Sequence, residues 1–222
     1  SRMGSPDVVI SPSQFLLDFY RAKGFFPESS LLLLRNPLTV HPEGQSPNYM
    51  VSNACRFLYV GQIEPHKGIE TLVAAFASFI KNGGQATLSL VGDGSLLTFV
   101  ESVRSTIPNI LVHGRQKREV VERMYREADV VVVPSLCYEN SPTVIMESFA
   151  FGVPVIASNV NGIIELIAEG ENGFLFEAGN AEALARVLEM SAGNKPFLRR
   201  MGEHAFRTIS SPAPEAFVSS LL

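Results

Sequence analysis

Few residues of this chain can form a disulfide or hold a metal. It has two cysteines, Cys55 and Cys137, and four histidines, His41, His66, His113 and His204, in 222 residues. Two cysteines are too few for a disulfide framework, so two free thiols and a reducing compartment, the cytoplasm, are expected. The histidines are scattered without a ligand spacing such as H-x-x-x-H, and no Asp-x-Asp pair occurs, so no protein-bound metal is expected. No apolar run approaches the ~18 residues that a membrane span requires, and the LLLL at 31–34 reads as a short buried strand. There is no Lys/Arg cluster either: 18 basic residues face 22 acidic ones, a net charge of −4, which argues against a nucleic-acid partner. The start shows no signal peptide, and SRMGS reads as a vector remnant. Internal repeats and low-complexity tracts are absent too.

What is present is a regular alternation. With 46% hydrophobic residues the chain can bury a substantial core. Strands are expected at 57–60, 86–91, 110–112, 129–134, 154–157 and 174–176. Between and after them the pattern predicts helices at 68–81, 95–105, 117–127, 142–151, 162–169, 180–191 and about 196–209. This predicts an α/β fold, a doubly wound, mostly parallel sheet. Ligands on such sheets sit beyond the carboxyl ends of the strands. The start differs in kind: DVVIS, a helix SQFLLDFYRAKG and a strand LLLLR form a βα pair ending at Asn36-Pro37, followed by a loop rich in Pro, Gly, Ser and Asn.

The stretch ENSPTVIME, Glu139 to Glu147, carries the most chemistry. It follows ADVVVVPS, a continuous apolar run suited to a strand covered on both faces. Ser141 reads as the N-cap and Pro142 as the first residue of a helix that ends at Gly152. The free amides and partial positive charge of that helix start suit a phosphate or diphosphate. Glu139 and Glu147 then accept hydrogen bonds from hydroxyls on either side of the anion, a geometry that suits a sugar nucleotide. Lys67, in GQIEPHKG, pairs with a diphosphate or is a surface lysine near a helix start. Gly61 permits close backbone approach or simply makes a turn. His66 has the same choice between phosphate and solvent. Gly92-Asp93-Gly94 begins like a dinucleotide fingerprint, but Leu97 stands where a third glycine belongs. Cys137 is close enough in sequence to line a sugar pocket, yet has no adjacent base to make it a nucleophile.

The E-x7-E spacing within this strand, loop and helix resembles the nucleotide-sugar site of retaining GT-B glycosyltransferases of family 4. The likeness continues in order through ISPSQFLLDFYRAKGF with RNPL, FLYVGQIEPHKGIETLVAAF, LSLVGDGS, ILVHGRQ, GVPVIASNVNGIIELI and ENGFLFEAGN, nearly the whole chain. It implies a Rossmann-like C-terminal lobe that binds a nucleoside-diphosphate sugar and transfers a hexose-type sugar with retention, without a cofactor. Glu147 would then hold the ribose hydroxyls and Glu139 those of the transferred sugar. Lys67 would stabilise the leaving diphosphate, and Glu139 and Lys67 would be the catalytic pair. Asn140, Ser141, Pro142, Thr143 and Val144 would touch sugar and phosphate, largely through backbone groups. Gly114 and Arg115 would flank the base, unless Arg115 is an ordinary surface charge. Many relatives carry arginine where this chain has Gln62, so the diphosphate loses one cation.

The same resemblance divides the chain. Residues 1–36 would be the last βα unit of an acceptor lobe, 37–54 a linker, 55–194 the donor domain and 195–222 a C-terminal helical region. The rest of the acceptor lobe, roughly 150–200 residues, would hold the acceptor and any peripheral membrane contact. Residues 1 to about 25 are accordingly expected to be mobile, repacked on the domain or paired with a neighbouring chain. The chain alone is expected to bind its donor without transferring sugar. Two other readings stay open: a non-catalytic nucleotide-binding or assembly module, and a nicotinamide-dependent dehydrogenase domain. The dehydrogenase requires a complete G-x-G-x-x-G after its first strand, which GQIEPHKG does not supply.

Overall fold

A computed structural model describes residues 6–38, 40 and 54–209. Val8–Ser11 (β1), Gln14–Ala22 (α1) and Ser30–Leu33 (β2) form a first unit. From Cys55–Val60 (β3) the chain runs through Ile69–Lys81 (α2), Ala86–Val91 (β4), Leu97–Arg104 (α3), Ile110–Gly114 (β5) and Arg118–Glu127 (α4). It continues with Val130–Val133 (β6), Thr143–Ala150 (α5), Val155–Ser158 (β7), Gly173–Phe176 (β8), Ala181–Ala192 (α6) and Lys195–Arg207 (α7).

Local chemistry explains several boundaries. Ser13, Asn180 and Asn194 cap α1, α6 and α7, each side-chain oxygen accepting from a backbone amide three residues on, so each satisfies one orphan donor of its helix. Two expectations fail. Pro142 has an extended ψ of 109°, so α5 starts at Thr143, and Ser141 caps nothing. The helix expected at 162–169 is a single 3-10 turn, Ile164–Leu166. It stops there because the Asn172 side chain accepts from the Ala168 amide while the Ala168 carbonyl accepts from Glu171 and Asn172, closing a turn where a helix would have to continue.

β3 to β8 form one parallel sheet in the order β5-β4-β3-β6-β7-β8. Alternate side chains go to opposite faces, which is why two separate cores exist. Phe57, Tyr59, Val130 and Val132 meet α2 and α6 on one face. Leu58, Val131 and Val133 meet Tyr125 of α4 and Ile145 and Phe149 of α5 on the other. The four valines of β6 are all buried, as a strand covered on both faces requires. Because β3 starts in the middle, β4 and β5 extend the sheet one way and β6 to β8 the other. The order reverses between β3 and β6, and a crevice opens beyond their carboxyl ends.

Asp129 tethers the opposite end of the sheet. Its carboxylate accepts from the Arg56 amide at 2.8 Å, from the Arg56 guanidinium at 3.0 and 3.2 Å and from Lys195 of α7 at 3.0 Å. Cys55 lies beside this cluster, where burial first and Asp129 second push its thiol pKa up to about 12. Both cysteines are free, and Cys55 is inert as a nucleophile at neutral pH.

β1 and β2 pair with each other as a separate parallel sheet. Residues 6–25 pack on the larger domain through α1, where Ser13 bonds to Asn140 and the Gln14 and Phe15 amides to Glu165. Most of the 37–54 linker, SRMGS and everything after Ile209 lie outside the described residues. Val40 is buried in the core between the sheet and α4 and α5. Among the described residues no helix is long and apolar enough to cross a membrane.

Candidate functional site

A cavity of about 350 Å³ occupies the crevice between β3 and β6. Gly61, Gln62 and Lys67 line it from the loop after β3, and Ser135, Glu139, Ser141, Pro142, Thr143 and Val144 from the loop after β6 and the start of α5. Eight of the sequence-predicted residues, all of these except Ser135, thus converge here, Lys67 and Glu139 from positions 72 apart.

Lys67 ends a 3-10 turn, Pro65–Lys67, that Gly68 closes in the left-handed conformation. The turn is braced from both sides. His66 accepts at its carbonyl from the Leu136 amide of the β6 loop. On the other side Ile63 donates to the Asp93 carbonyl, Leu96 donates to the Ile63 carbonyl, and the Ser95 amide and hydroxyl both donate to the Glu64 carboxylate. The Gly92-Asp93-Gly94 segment therefore supports the Lys67 loop, and neither glycine lines the cavity.

At the centre of the site Lys67 Nζ donates to Glu139 Oε1 at 2.6 Å, and Ser135 Oγ donates to the same oxygen at 2.7 Å. The pair is partly sheltered, with 25% of the lysine side chain and 14% of the glutamate side chain exposed. The Tyr59 hydroxyl donates to the Gln62 carbonyl at 2.5 Å. Burial first, then the charge of Glu139, hold its pKa well above the phenol range, so it stays a neutral donor. The amides of Thr143 and Val144 open α5 and have no intrahelical acceptor.

Glu147, Asn140, Gly114, Arg115 and Cys137 lie outside this cavity. Glu147 is one turn further along α5, where Tyr125 donates to its Oε2 at 3.1 Å and the Arg118 guanidinium approaches its Oε1 at 4.0 Å. Burial raises its pKa, against the lowering effects of Tyr125 and Arg118. Asn140 turns away from the cavity and accepts from Ser13 Oγ at 2.5 Å. Gly114 ends β5, and with exposed Arg115 it lies beyond β4, two strands from the crevice. The sequence did not single out Tyr59, Ser135 or Tyr125: Tyr59 lies inside a strand read as core, Ser135 stands at the start of the loop after β6 with nothing in its type to mark it, and nothing in an amphipathic helix marks Tyr125 as a carboxylate partner. Among the described residues no three His, Cys, Asp or Glu side chains gather closely enough to hold a metal ion.

A second cavity, about 450 Å³, also reaches Glu139, from the α1 side. Phe15, Phe19 and Tyr138 make it mostly apolar, and Asn140 and Asn161 add amides.

Comparison with known proteins places the family and the fold. D-inositol 3-phosphate glycosyltransferase from Corynebacterium glutamicum is 32% identical over 180 residues, covering 73% of this chain and 42% of the relative. Sucrose-phosphate synthase from Thermosynechococcus elongatus superposes with a TM-score of 0.81 at 26% identity, covering 97% of this chain and 56% of that one. HepE from Anabaena, solved in complex with UDP, superposes with a TM-score of 0.78 at 22% identity over 90% of this chain and 58% of its own, a likeness of fold. The chain spans 18% to 53% of the length of the curated relatives it matches. Its architecture is the Rossmann-like lobe of a GT-B glycosyltransferase. The family described as glycosyl transferases group 1 matches residues 51–208, and to that family the chain belongs.

Proposed function

We propose that the cavity between β3 and β6 binds a nucleoside-diphosphate sugar and forms the donor half of a hexosyltransferase acting with retention, as in family 4. The observation that carries this reading is the Lys67–Glu139 pair, set against the free amides of α5 in a crevice where the strand order reverses. Lys67 and the α5 amides take the diphosphate and stabilise the charge that grows on it as the glycosidic bond breaks, an interaction stronger in the transition state than in the ground state. Glu139 orients the sugar through Oε2, since Lys67 and Ser135 both bond to Oε1. Glu147, already oriented by Tyr125, receives the ribose. The acceptor enters from the aromatic cavity beside α1, held by a lobe of which β1, α1 and β2 are one unit. HepE, a neighbour in fold, was solved with UDP, which makes a uridine donor the first to try. Because transfer needs both substrates at near-attack distance, this chain by itself binds donor without turnover. Such a donor places the work in the cytoplasm.

Calorimetric titration with UDP, GDP and ADP sugars tests the reading. Micromolar to millimolar binding of one of them is expected. Silence for all three would overturn it and favour a non-catalytic module, the reading that Gln62, an uncharged residue at the diphosphate, supports.

Two expected results follow from the division of labour. Glu139→Ala weakens a nucleotide sugar by about tenfold relative to the bare nucleoside diphosphate, the loss of roughly one hydrogen bond to a charged group. Equal loss for both ligands would refute the sugar-side role of Glu139. Chelation by EDTA leaves nucleotide affinity within about twofold, because Lys67 and the helix amides fill the electrostatic role that a divalent ion takes at other diphosphate sites. A large loss of affinity would show that a metal bridges the phosphates.

A further inference from the structure

Glu165 belongs to the 3-10 turn after β7, yet its carboxylate serves α1, 150 residues earlier in sequence. Oε2 accepts from the Gln14 amide at 3.0 Å and the Phe15 amide at 3.2 Å, and Oε1 faces the Arg35 guanidinium at 3.4 Å. These are the first two amides of α1, so a carboxylate of the donor domain caps a helix of the preceding unit, where the helix dipole favours it. Only 20% of the Glu165 side chain is exposed, so the contact is sheltered from solvent.

The same turn of α1 grips both neighbours of Glu139. Ser13 donates to Asn140, and the Phe15 ring lies 5.7 Å from the Tyr138 ring. From the other side, the Glu139 amide donates to the Asn161 carbonyl at 3.2 Å. Gly162, at φ +85°, packs so closely that a Cβ there would stand 1.5 Å from the Glu139 carbonyl oxygen. Glu139 is thus clamped between α1 and the loop that carries Glu165, and Glu165 joins the two jaws.

We propose that Glu165 is a positioning residue for Glu139: by capping α1 it holds the β1-α1-β2 unit against the donor loops and sets where the Glu139 carboxylate meets the sugar. The proposal rests on the donor-site reading above, in which Glu139 serves the sugar and the nucleotide is held separately. Glu165 itself touches no substrate. Its loss should therefore alter the sugar-dependent part of binding and spare the nucleotide.

The test compares wild type, Glu165→Ala and Glu165→Gln in the full 222-residue chain, by titration with UDP and UDP-glucose and by amide hydrogen exchange. Glu165→Ala is expected to keep UDP affinity within about twofold, to weaken UDP-glucose about tenfold, and to speed exchange of the Glu139 amide by tenfold or more. Glu165→Gln, whose amide oxygen still accepts from Gln14 and Phe15, should restore most of each effect. Faster exchange at Gln14 and Phe15 alone, with UDP-glucose affinity unchanged, would reduce Glu165 to a helix cap and overturn the proposal. If wild type binds neither ligand, the uridine-donor reading fails, while exchange at Glu139 still decides the role of Glu165. Unchanged UDP affinity, or an unchanged melting profile, shows that the alanine variant is folded.

Discussion

Lys67→Ala is expected to weaken nucleoside diphosphate and nucleotide sugar alike, by about tenfold to a hundredfold. That range corresponds to the ~1.5–3 kcal/mol of a charge-assisted hydrogen bond. Among the described residues Lys67 is the one cation that lines the cavity, since Gln62 supplies no charge. In the free chain its ammonium is already paired with Glu139, so binding exchanges one anion for another and recovers only the difference. Removing the lysine has a second consequence. Glu139 keeps its carboxylate beside the phosphates with Ser135 as its remaining partner, and the repulsion adds to the loss. Adding Glu139→Gln to Lys67→Ala should therefore recover part of the bare-diphosphate affinity. Calorimetry on the single and double variants checks both steps. Loss of the nucleotide sugar with full retention of the bare diphosphate would remove Lys67 from the phosphate site.

Gly68→Ala is expected to cost stability and donor affinity together. Gly68 sits at φ +72°, and a Cβ placed on it would stand 1.8 Å from the Pro134 carbonyl oxygen. The left-handed conformation alone costs an L residue ~1–2 kcal/mol. The collision adds to that cost, because its partner is backbone at the end of a fully buried strand and cannot rotate away. In a chain of this size each kcal/mol lowers the melting temperature by ~2–4 °C, so the conformational cost alone gives a fall of about 2–8 °C and the collision adds to it. Relief of the clash must move the Lys67 turn away from the β6 loop, which widens the cavity between them and separates Lys67 from Glu139. Thermal melts and titration of the same sample check this. A melting temperature and donor affinity equal to wild type would show that the two loops do not abut as described.

The elements were legible because their causes are local. Four consecutive valines name a doubly covered strand, and strands alternating with helices imply a parallel sheet. Local signals misled where a neighbour distant in sequence, or a backbone angle, outweighed propensity. The apolar run from Gly162 to Glu169 has a helical pattern, yet its start lies against the Glu139 carbonyl and its end closes on Asn172. Ser141 and Pro142 have the chemistry of a helix start, but Pro142 is extended and the first turn forms one residue later.

The site divides the same way. Glu139, Lys67 and the α5 residues could be named as donor-site candidates from their type and their place after strands. Their convergence follows from the order in which six strands pair, which puts the ends of β3 and β6 side by side and leaves Gly114 and Arg115 at the end of β5, outside the lining of the cavity. Side-chain direction was equally out of reach. Glu147 faces Tyr125, Asn140 faces Ser13 and Glu165 reaches back to α1 because of packing between segments 22, 127 and 150 residues apart. Residue type and periodicity act over a few positions, whereas these contacts exist only once the sheet has closed the distance between them.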